Sequence, residues 1–416
     1  MNAERLVRFV TFHFATRVLR KHIGTIEGLE HIPAEGSFVL VPNHSSYFDH
    51  FTVGALIEAA RGTPTWFLTK RESFEKPLPR LWAQAWYAIP VDRDAPSPGT
   101  IREVQRILAS GDVLCVYPEG TRGPGDVLLP FRHGAFRFAL TEDVPLIPLG
   151  MVGTNSVLPR GDTRFKPGKV HLVVGAPLEV PLTGTKQQKA EILALRARPL
   201  IESLIARAKQ NAANTDHEHL ARKNAAVLDA RITGSLSETS TLTRKTVARF
   251  MRLTRLLLVT APQDPDLRSQ QIRLRGLAAM NAPAALRAVF APSIRRDAEA
   301  ILRQAPGHRD ASYLLGRWHL MIPKILGGRL QDSIRYFEAS ALASEPGDTR
   351  ALTGLADAYL ACDDRENAIA ALQAIIAGTP PEHPRSEPRR RKAQQKLTSL
   401  TSVTDSGSSL DQRPGQ

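Results

Sequence analysis

Cysteines and long apolar stretches are scarce in this sequence. Only two cysteines, Cys115 and Cys362, occur among its 416 residues. They lie far apart in segments that we expect to be buried, so a disulfide framework is not indicated and a reducing compartment fits. No stretch approaches the roughly 18 consecutive apolar residues of a spanning helix. Any contact with a membrane is therefore expected at its surface.

Two kinds of functional motif are also missing from the sequence. Spaced clusters of histidine and cysteine, which hold metals, do not occur, and we expect no metal. No recognisable reader motif for nucleic acid accompanies the positive charge, so we expect no nucleic acid as a partner. The formal net charge of +14 nevertheless favours an anionic partner, such as phospholipid headgroups or a phosphorylated small molecule.

The length of the chain predicts two domains, because single cores usually stop growing at about 250–300 residues. Residues 23–209 alternate short β-rich apolar runs with helical patterns, which is typical of an α/β domain with a buried sheet. Residues 210–240 have little periodic apolar pattern and are predicted to form a linker. We expect an all-helical domain over 241–398 and a disordered tail over 399–416.

The first 22 residues combine bulky apolar and basic side chains. Leu6, Val10, Phe14 and Val18 recur every four residues, and arginines add positive charge. This pattern predicts an amphipathic helix over 1–22 that lies at a membrane interface. The alternative is that the helix docks onto the protein's own α/β domain.

A histidine and a carboxylate follow the predicted strand that ends at Val41. His44 and Asp49 are five positions apart, and five residues of regular helix turn through about 140°. The two side chains can therefore meet only if His44 lies in the loop before a helix and Asp49 lies in its first turn. The imidazole could then take a proton from a hydroxyl group while the carboxylate fixes its tautomer. This arrangement is similar to a serine-hydrolase dyad in which a substrate hydroxyl replaces the serine.

Both residues also have structural interpretations. Ser46 and Asp49 match the pattern of a capping box, in which a serine and an acidic residue three positions later open a helix. His44 could be a structural histidine of the loop.

A second predicted strand leads into a tight, glycine-bearing turn formed by Glu119, Gly120, Thr121 and Arg122. The glycine lets backbone N–H groups approach an anion closely, and the threonine adds a hydroxyl donor. The arginine can donate two parallel hydrogen bonds to phosphate oxygens. The alternative is an ordinary loop in which Glu119 and Arg122 form a surface ion pair.

Together the two motifs resemble the glycerolipid acyltransferase family, typified by 1-acylglycerol-3-phosphate acyltransferases. Its hallmarks are an Asn-His-x4-Asp block and a Pro-Glu-Gly-Thr-Arg block. The segment Pro90-Val91-Asp92-Arg93 is similar to the family's intermediate block, and Val144 begins a segment that resembles its final block. The resemblance covers residues 25–185. Gly123 departs from the pattern, because many members have serine there, and this leaves the acceptor open.

The resemblance implies an acyl thioester donor, either acyl-CoA or acyl carrier protein, with no further cofactor. His44 would deprotonate the acceptor hydroxyl, and Asp49 would orient it. Arg93 and Arg122 would hold the phosphate of a lysophospholipid acceptor, most simply 1-acylglycerol-3-phosphate, with Glu119, Gly120 and Thr121 completing the binding site. A peripheral or monotopic enzyme of phospholipid biosynthesis, on the cytoplasmic face of the membrane, is expected.

The C-terminal half resembles tetratricopeptide-like helical repeats. Residues 349–382 fit one helical hairpin, and an earlier, weaker copy runs through Leu315-Gly316, Ser333 and Phe337. Such hairpins usually bind protein partners, and the alternative is a helical lid packed on the enzyme. The rival function for the whole chain is a catalytically inactive membrane-associated scaffold that acts through these repeats.

Overall fold

The computed structural model describes residues 3–92, 97–125, 127–239, 242–345, 347–378 and 386–405. The chain divides into two compact units. The first comprises Met1–Val227 and Ala248–Pro262, and the second comprises Leu228–Val247 and Gln263–Gln416.

A mixed sheet forms the centre of the first unit. Its seven strands, within the described residues, are β1 Ile23–Glu27, β2 Phe38–Pro42, β3 Thr65–Lys70, β4 Ala88–Val91, β5 Val113–Cys115, β6 Leu146–Val152 and β7 Val170–Val174. They are ordered β1-β7-β6-β2-β5-β3-β4, and every pair is parallel except β6 with β7. The predicted α/β fold is confirmed.

Helices surround this sheet and make up the second unit. The described helices of the first unit are α1 Ala3–His22, α2 Phe48–Arg61, α3 Pro77–Ala85, α4 Pro98–Ala109, α5 Gly134–Arg137, α6 Thr154–Val157 and α7 Lys186–Ala213. Two helices, α8 Glu218–Thr239 and α9 Arg244–Thr260, contribute residues to both units. The second unit contains α10 Pro265–Met280, α11 Ala284–Gln304, α12 Arg309–Met321, α13 Leu330–Leu342, α14 Arg350–Ala361, α15 Arg365–Gly378 and α16 Ser386–Asp405.

The central strands are buried at every position. All residues of β2, β6 and β7 are buried, which explains their nearly continuous apolar runs, because a parallel sheet is covered on both faces. Strands β2 and β5 pair in parallel, with Phe38 opposite Val113 and Leu40 opposite Cys115. Their carboxyl ends therefore meet at one edge of the sheet, where ligands usually bind in open α/β folds.

The N-terminal helix α1 packs on the rest of the first unit but leaves Val10 and Phe14 of its predicted apolar stripe exposed. Leu19 is fully buried, and the indole of Trp86, the residue after α3, donates to Thr11 Oγ1 at 3.0 Å. Val10 and Phe14 are each 58% exposed. Within the described residues, no helix is both long and apolar enough to cross a membrane.

The segment 210–240, predicted as a linker, is mostly helical. It contains the end of α7 and all of α8, and the boundary between the units falls within α8. The apolar period of α8 is hard to see in the sequence because Asn224 interrupts it between Leu220 and Leu228, and all three side chains are buried. The amide of Asn224 donates to the carbonyl of Ile26 at 2.9 Å, so this polar group is satisfied inside the core.

Successive helices of the second unit pack against each other as the repeat pattern predicts. Gly316 on α12 and Gly354 on α14 both face the ring of Phe337, and a Cβ at either position would lie within 2.7 Å of that ring. Ser333 Oγ donates to the carbonyl of Gly316 at 2.8 Å. Small residues thus allow α13 to approach both neighbours closely.

The C-terminal tail was predicted to be disordered from residue 399, and this boundary is wrong. Helix α16 continues to Asp405, because Leu397 and Leu400 pack partly against the apolar core of the second unit. Residues 406–416, together with residues 379–382 of the predicted helical hairpin, lie outside the described residues.

Buried charges connect several helices of the second unit. Asp310 on α12 is bonded by Arg350 of α14, by Arg309 at 3.2 Å and by the Gln270 amide of α10 at 3.2 Å. Burial by itself would raise the pKa of Asp310, but Arg350 and its arginine neighbours outweigh burial and hold that pKa at about 2. The carboxylate is therefore ionised throughout the physiological range.

We expect Asp310→Asn to lower the free energy of unfolding by about 3–5 kcal/mol, because it leaves buried guanidinium groups without their counter-charge. Urea titrations followed by circular dichroism would measure the loss. The pKa of Asp310 is depressed in the folded state, so its stabilisation is present above about pH 4 and is lost as the pH falls towards 2.

The difference between wild type and Asp310→Asn should therefore shrink across that pH window. Asp332→Asn is a matched control, because Asp332 forms a pair with the exposed side chain of Arg335 at 3.3 Å. Equal losses in the two variants would contradict a special role for the buried network.

Candidate active site

Hydrogen bonds of the residues on either side of His44, Asn43 and Ser45, hold the loop after β2 in place. Asn43 is buried, and its amide donates to the Met151 carbonyl at 2.9 Å and accepts from the Met151 N–H at 2.7 Å. Ser45 Oγ and Thr154 Oγ1 are 3.1 Å apart. The loop is thereby attached to the end of β6 and to α6.

The structure brings His44 and Asp49 together as their spacing predicted. His44 lies in the loop, Asp49 lies in the first turn of α2, and His44 Nδ1 is 2.8 Å from Asp49 Oδ2. A proton on Nδ1, donated to the carboxylate, leaves Nε2 as the nitrogen that can accept a proton. The side chain of Asp49 is 1% exposed, whereas His44 lines a large cleft.

Asp49 also stabilises the start of α2, as the structural alternative proposed. The same Oδ2 atom accepts from the N–H groups of Ser45 at 2.7 Å and Ser46 at 2.9 Å. The reciprocal half of a capping box is absent, because Ser46 Oγ donates to the carbonyl of Leu158 at 2.6 Å and accepts from the N–H of Phe48. One carboxylate therefore fixes both the loop and the imidazole.

Glu119 connects the two loops and does not face Arg122. Its Oε1 accepts from the His44 N–H at 2.7 Å, and its Oε2 accepts from the Leu129 N–H at 2.8 Å. The His44 carbonyl in turn accepts from Gly123 N–H at 2.8 Å. The alternative, a surface pair with Arg122, does not form, because Glu119 is buried and both of its carboxylate oxygens accept from backbone amides. Burial raises the pKa of Glu119, against these two hydrogen bonds.

Gly120 occupies a position that only glycine fits easily. Its φ is +67°, in the left-handed region, and a Cβ there would lie 2.9 Å from the side chain of Arg132. Gly120 and the exposed Thr121 line the cleft with Arg122, as predicted for the phosphate loop.

Arg122 has an unused donor in the cleft. Its guanidinium lies over the ring of Tyr47, with Cζ 3.7 Å from the ring centroid. Its Nη1 atom is buried and has no hydrogen-bond partner among the described residues. A buried guanidinium nitrogen of this kind is suited to bind an anion. The fourth predicted residue of the anion site, Arg93, lies outside the described residues.

The cleft at this edge of the sheet has a volume of about 1580 Å³ and is lined by both cationic and aromatic side chains. Among the described residues, its cationic side chains outnumber its one carboxylate, Asp162; they are Lys70, Arg122, Arg132, Arg137, Arg160 and Lys186. Its larger aromatic side chains include Phe14, Phe48, Phe51, Trp82, Trp86 and Phe165. The cleft therefore suits a ligand with an anionic group and long apolar chains.

Two aromatic residues beside His44 were not found from the sequence. The Tyr117 ring stacks on the imidazole, with centroids 3.9 Å apart and planes at 22°. The ring centroid of His50 lies 5.3 Å from that of His44. Burial, assisted by His44, lowers the pKa of His50 to about 3, so it stays neutral and adds no positive charge beside the base. Only the fold brings these rings together, because they come from different elements.

Family models match both halves of the chain. The Acyltransferase family model matches residues 24–152, and a Tetratricopeptide repeat model matches 325–390. The 1-acyl-sn-glycerol-3-phosphate acyltransferase of Bacillus subtilis (strain 168) is 32% identical over 149 residues, which cover 36% of this chain and 70% of that protein. The alpha enzyme of the same name from Bos taurus is 32% identical over 185 residues, covering 42% of this chain and 59% of that protein.

A solved structure, the 1-acyl-sn-glycerophosphate (LPA) acyltransferase PlsC from Thermotoga maritima, is also similar. It is 23% identical, with a TM-score of 0.37, and the match covers 49% of this chain and 84% of that chain. On the strength of the sequence relatives, the chain belongs to the acyltransferase family. It is an O-acyltransferase that carries a tetratricopeptide repeat region.

We expect Glu119→Gln to lower kcat more than it raises the KM of either substrate. The amide NH₂ group would face one of two buried backbone N–H donors, and the unsatisfied donor costs about 1–3 kcal/mol and loosens the His44 loop. Steady-state kinetics on purified protein, with the exposed Glu179→Gln as control, would measure the effect. A rise in acceptor KM alone would instead support direct substrate binding by Glu119, as the sequence predicted.

Proposed function

We propose that this enzyme transfers a fatty acyl group from an acyl thioester to the free hydroxyl of 1-acylglycerol-3-phosphate, in phospholipid biosynthesis. The single observation that carries the proposal is the 2.8 Å contact between His44 and Asp49 in a cleft that also holds Arg122. The names of the two sequence relatives support this acceptor.

The dyad supplies general-base catalysis. His44 Nε2 takes the proton of the acceptor hydroxyl as the oxygen attacks the thioester carbonyl. Asp49 stabilises the imidazolium that forms, and the ring of Tyr117 limits rotation of the imidazole. Collapse of the tetrahedral intermediate breaks the carbon–sulfur bond, and the departing thiolate takes up the proton from His44. Ester and thiol are the products, and no acyl-enzyme is needed.

The cationic and the aromatic side chains of the cleft would bind different parts of the substrates. Arg122, held over Tyr47 at 3.7 Å, would donate to the acceptor phosphate, with Arg93 as its predicted second cation. The aromatic side chains of α1, α2 and α3 would contact acyl chains, whose burial supplies affinity without directional bonds. Orientation by both walls places the hydroxyl near the imidazole, which can be worth several orders of magnitude in rate.

The donor is an acyl thioester in this proposal, either acyl-CoA or acyl carrier protein, and no further cofactor takes part. The exposed cations Arg137, Arg160 and Lys186 lie in the cleft and complement the negative charge that both carriers bear. The repeat region is proposed to bind a protein partner.

The enzyme is proposed to work at the cytoplasmic face of a membrane as a peripheral or monotopic protein. Leu6, Val10 and Phe14 form an exposed apolar stripe on α1, and Phe14 also lines the cleft. A lipid surface covering this stripe would let the acceptor enter the cleft with its acyl chain in an apolar environment.

We expect His44→Ala to abolish acyl transfer and Asp49→Asn to lower kcat by roughly 10²–10⁴, because both act through the proton transfer. Thioester consumption and thermal melting would be measured together. His133→Ala, an exposed histidine outside the cleft, should retain activity. Wild-type turnover in a folded His44→Ala protein would rule out the mechanism, whereas no acyl transfer by the folded wild-type protein would favour the scaffold function.

Arg122→Ala is expected to raise the KM of the phosphorylated acceptor by at least tenfold and the donor KM much less, since one charge-assisted bond is worth about 1.5–3 kcal/mol. Arg122→Lys should recover part of the loss, because an ammonium lacks the bidentate fork. Arg93→Ala should behave like Arg122→Ala. The control is Arg164→Ala, an exposed arginine outside the cleft. Equal losses for donor and acceptor would contradict the assignment.

A further inference from the structure

The turn between α12 and α13 exposes apolar side chains that the fold does not use. Ile325 is 92% exposed and Leu326 is 59% exposed. Met321, in the last turn of α12, is 50% exposed. We call Met321, Ile325 and Leu326 the apolar tip. Exposed neighbours of this size usually indicate a surface that contacts another apolar phase.

The turn holds the apolar tip by backbone hydrogen bonds. The Pro323 carbonyl accepts from the N–H groups of Leu326 at 2.9 Å and Gly328 at 3.2 Å. A Cβ on Gly328 would lie 1.7 Å from the Ile322 carbonyl oxygen, so the close approach needs glycine. The internal hydrogen bonds also lower the cost of moving this backbone into an apolar environment.

A buried tryptophan lies next to the turn that carries the apolar tip. Trp318 is 7% exposed, and its indole donates to the carbonyl of Ala291 on α11 at 2.7 Å. A Cβ on Gly327 would lie 3.6 Å from the same indole. Next to Ala291, Val289 and Phe290 are 70% and 40% exposed. The apolar surface therefore continues from the turn towards the start of α11.

The segment of the chain that carries the apolar tip has charges of one sign, although Arg317 at its start lies 3.8 Å from Asp357. Between Asp310 and Asp332 the chain carries three cations, Arg317, Lys324 and Arg329, and no carboxylate. Lys324 and Arg329 are exposed on either side of Ile325 and Leu326. Apolar side chains flanked by cations match the two layers of an anionic bilayer surface, whose headgroups attract the cations while the acyl region receives the apolar groups.

The size of the tip favours lipid over a protein partner. Stable protein interfaces use roughly 20–30 residues on each side, many more than this tip provides. Insertion into a bilayer surface needs only a few side chains, because each buried apolar group contributes independently. We infer that the apolar tip inserts into anionic membranes and gives the second unit a lipid contact of its own.

A local fluorescent probe tests this inference without any substrate. In the full chain with Cys362→Ser, Ile325→Cys would be labelled with an environment-sensitive fluorophore; the remaining cysteine, Cys115, is buried. Leu342→Cys is the matched control, since Leu342 is 90% exposed at the far end of α13, a helix about 18 Å long. Val10→Cys reports separately on the membrane contact proposed for α1.

With phosphatidylglycerol vesicles, the emission of the label at 325 should shift to the blue and at least double, while the label at 342 stays in water. Phosphatidylcholine vesicles should give a much smaller change. Lys324→Glu with Arg329→Glu should weaken the response at 325 by about tenfold, because each basic residue near an anionic surface contributes to binding.

A label at 325 that stays in water while the label at Val10→Cys responds would overturn this inference and leave the contact of α1 supported. Equal responses at 325 and 342 would also overturn it. A blue shift at 325 without vesicles, together with the mass of a dimer in light scattering, would assign the tip to a second copy of the chain and not to lipid.

Discussion

Strands β2 and β5 run parallel and in register, and the active site depends on that pairing. The N–H of Val116 donates to the Leu40 carbonyl at 2.9 Å, so the two chains leave the sheet side by side. The loop with His44 and the loop with Glu119 then exchange further backbone bonds beyond the sheet edge. His44 and Glu119, which are 75 residues apart in sequence, come into contact because of this ladder.

Carboxylates perform two different tasks in this site. Asp49 holds the imidazole and the loop N–H groups, whereas Glu119 holds only backbone N–H groups. Both are buried, and each compensates its desolvation with hydrogen bonds. The cationic groups, by contrast, line the open cleft, and Arg122 keeps one donor unused there. The buried carboxylates thus fix the loops, and the cationic side chains line the cleft beside them.

The two units use buried polar groups differently. In the first unit, polar side chains such as Asn43 fix loops around the chemistry. In the second unit, the network around Asp310 and Arg350 joins helix ends. Such a network specifies how the helices pair but contributes less stability than apolar packing would. The apolar tip stands outside this network, so it is free to serve a surface contact.

The sequence alone determined the α/β class, the His44–Asp49 pair and the helical repeats, because each depends on local spacing or on apolar periodicity. It could not decide whether Glu119 touches substrate or backbone, since its partners, His44 and Leu129, are distant or lie in an irregular loop. For the same reason, the stacking of Tyr117 on the imidazole of His44 could not be predicted from the sequence. Helix α8 was predicted as a linker because the polar Asn224 interrupts its apolar period. Only the fold supplies the carbonyl group that satisfies this buried amide. Local patterns fix elements and motifs, and tertiary structure alone decides which polar groups meet.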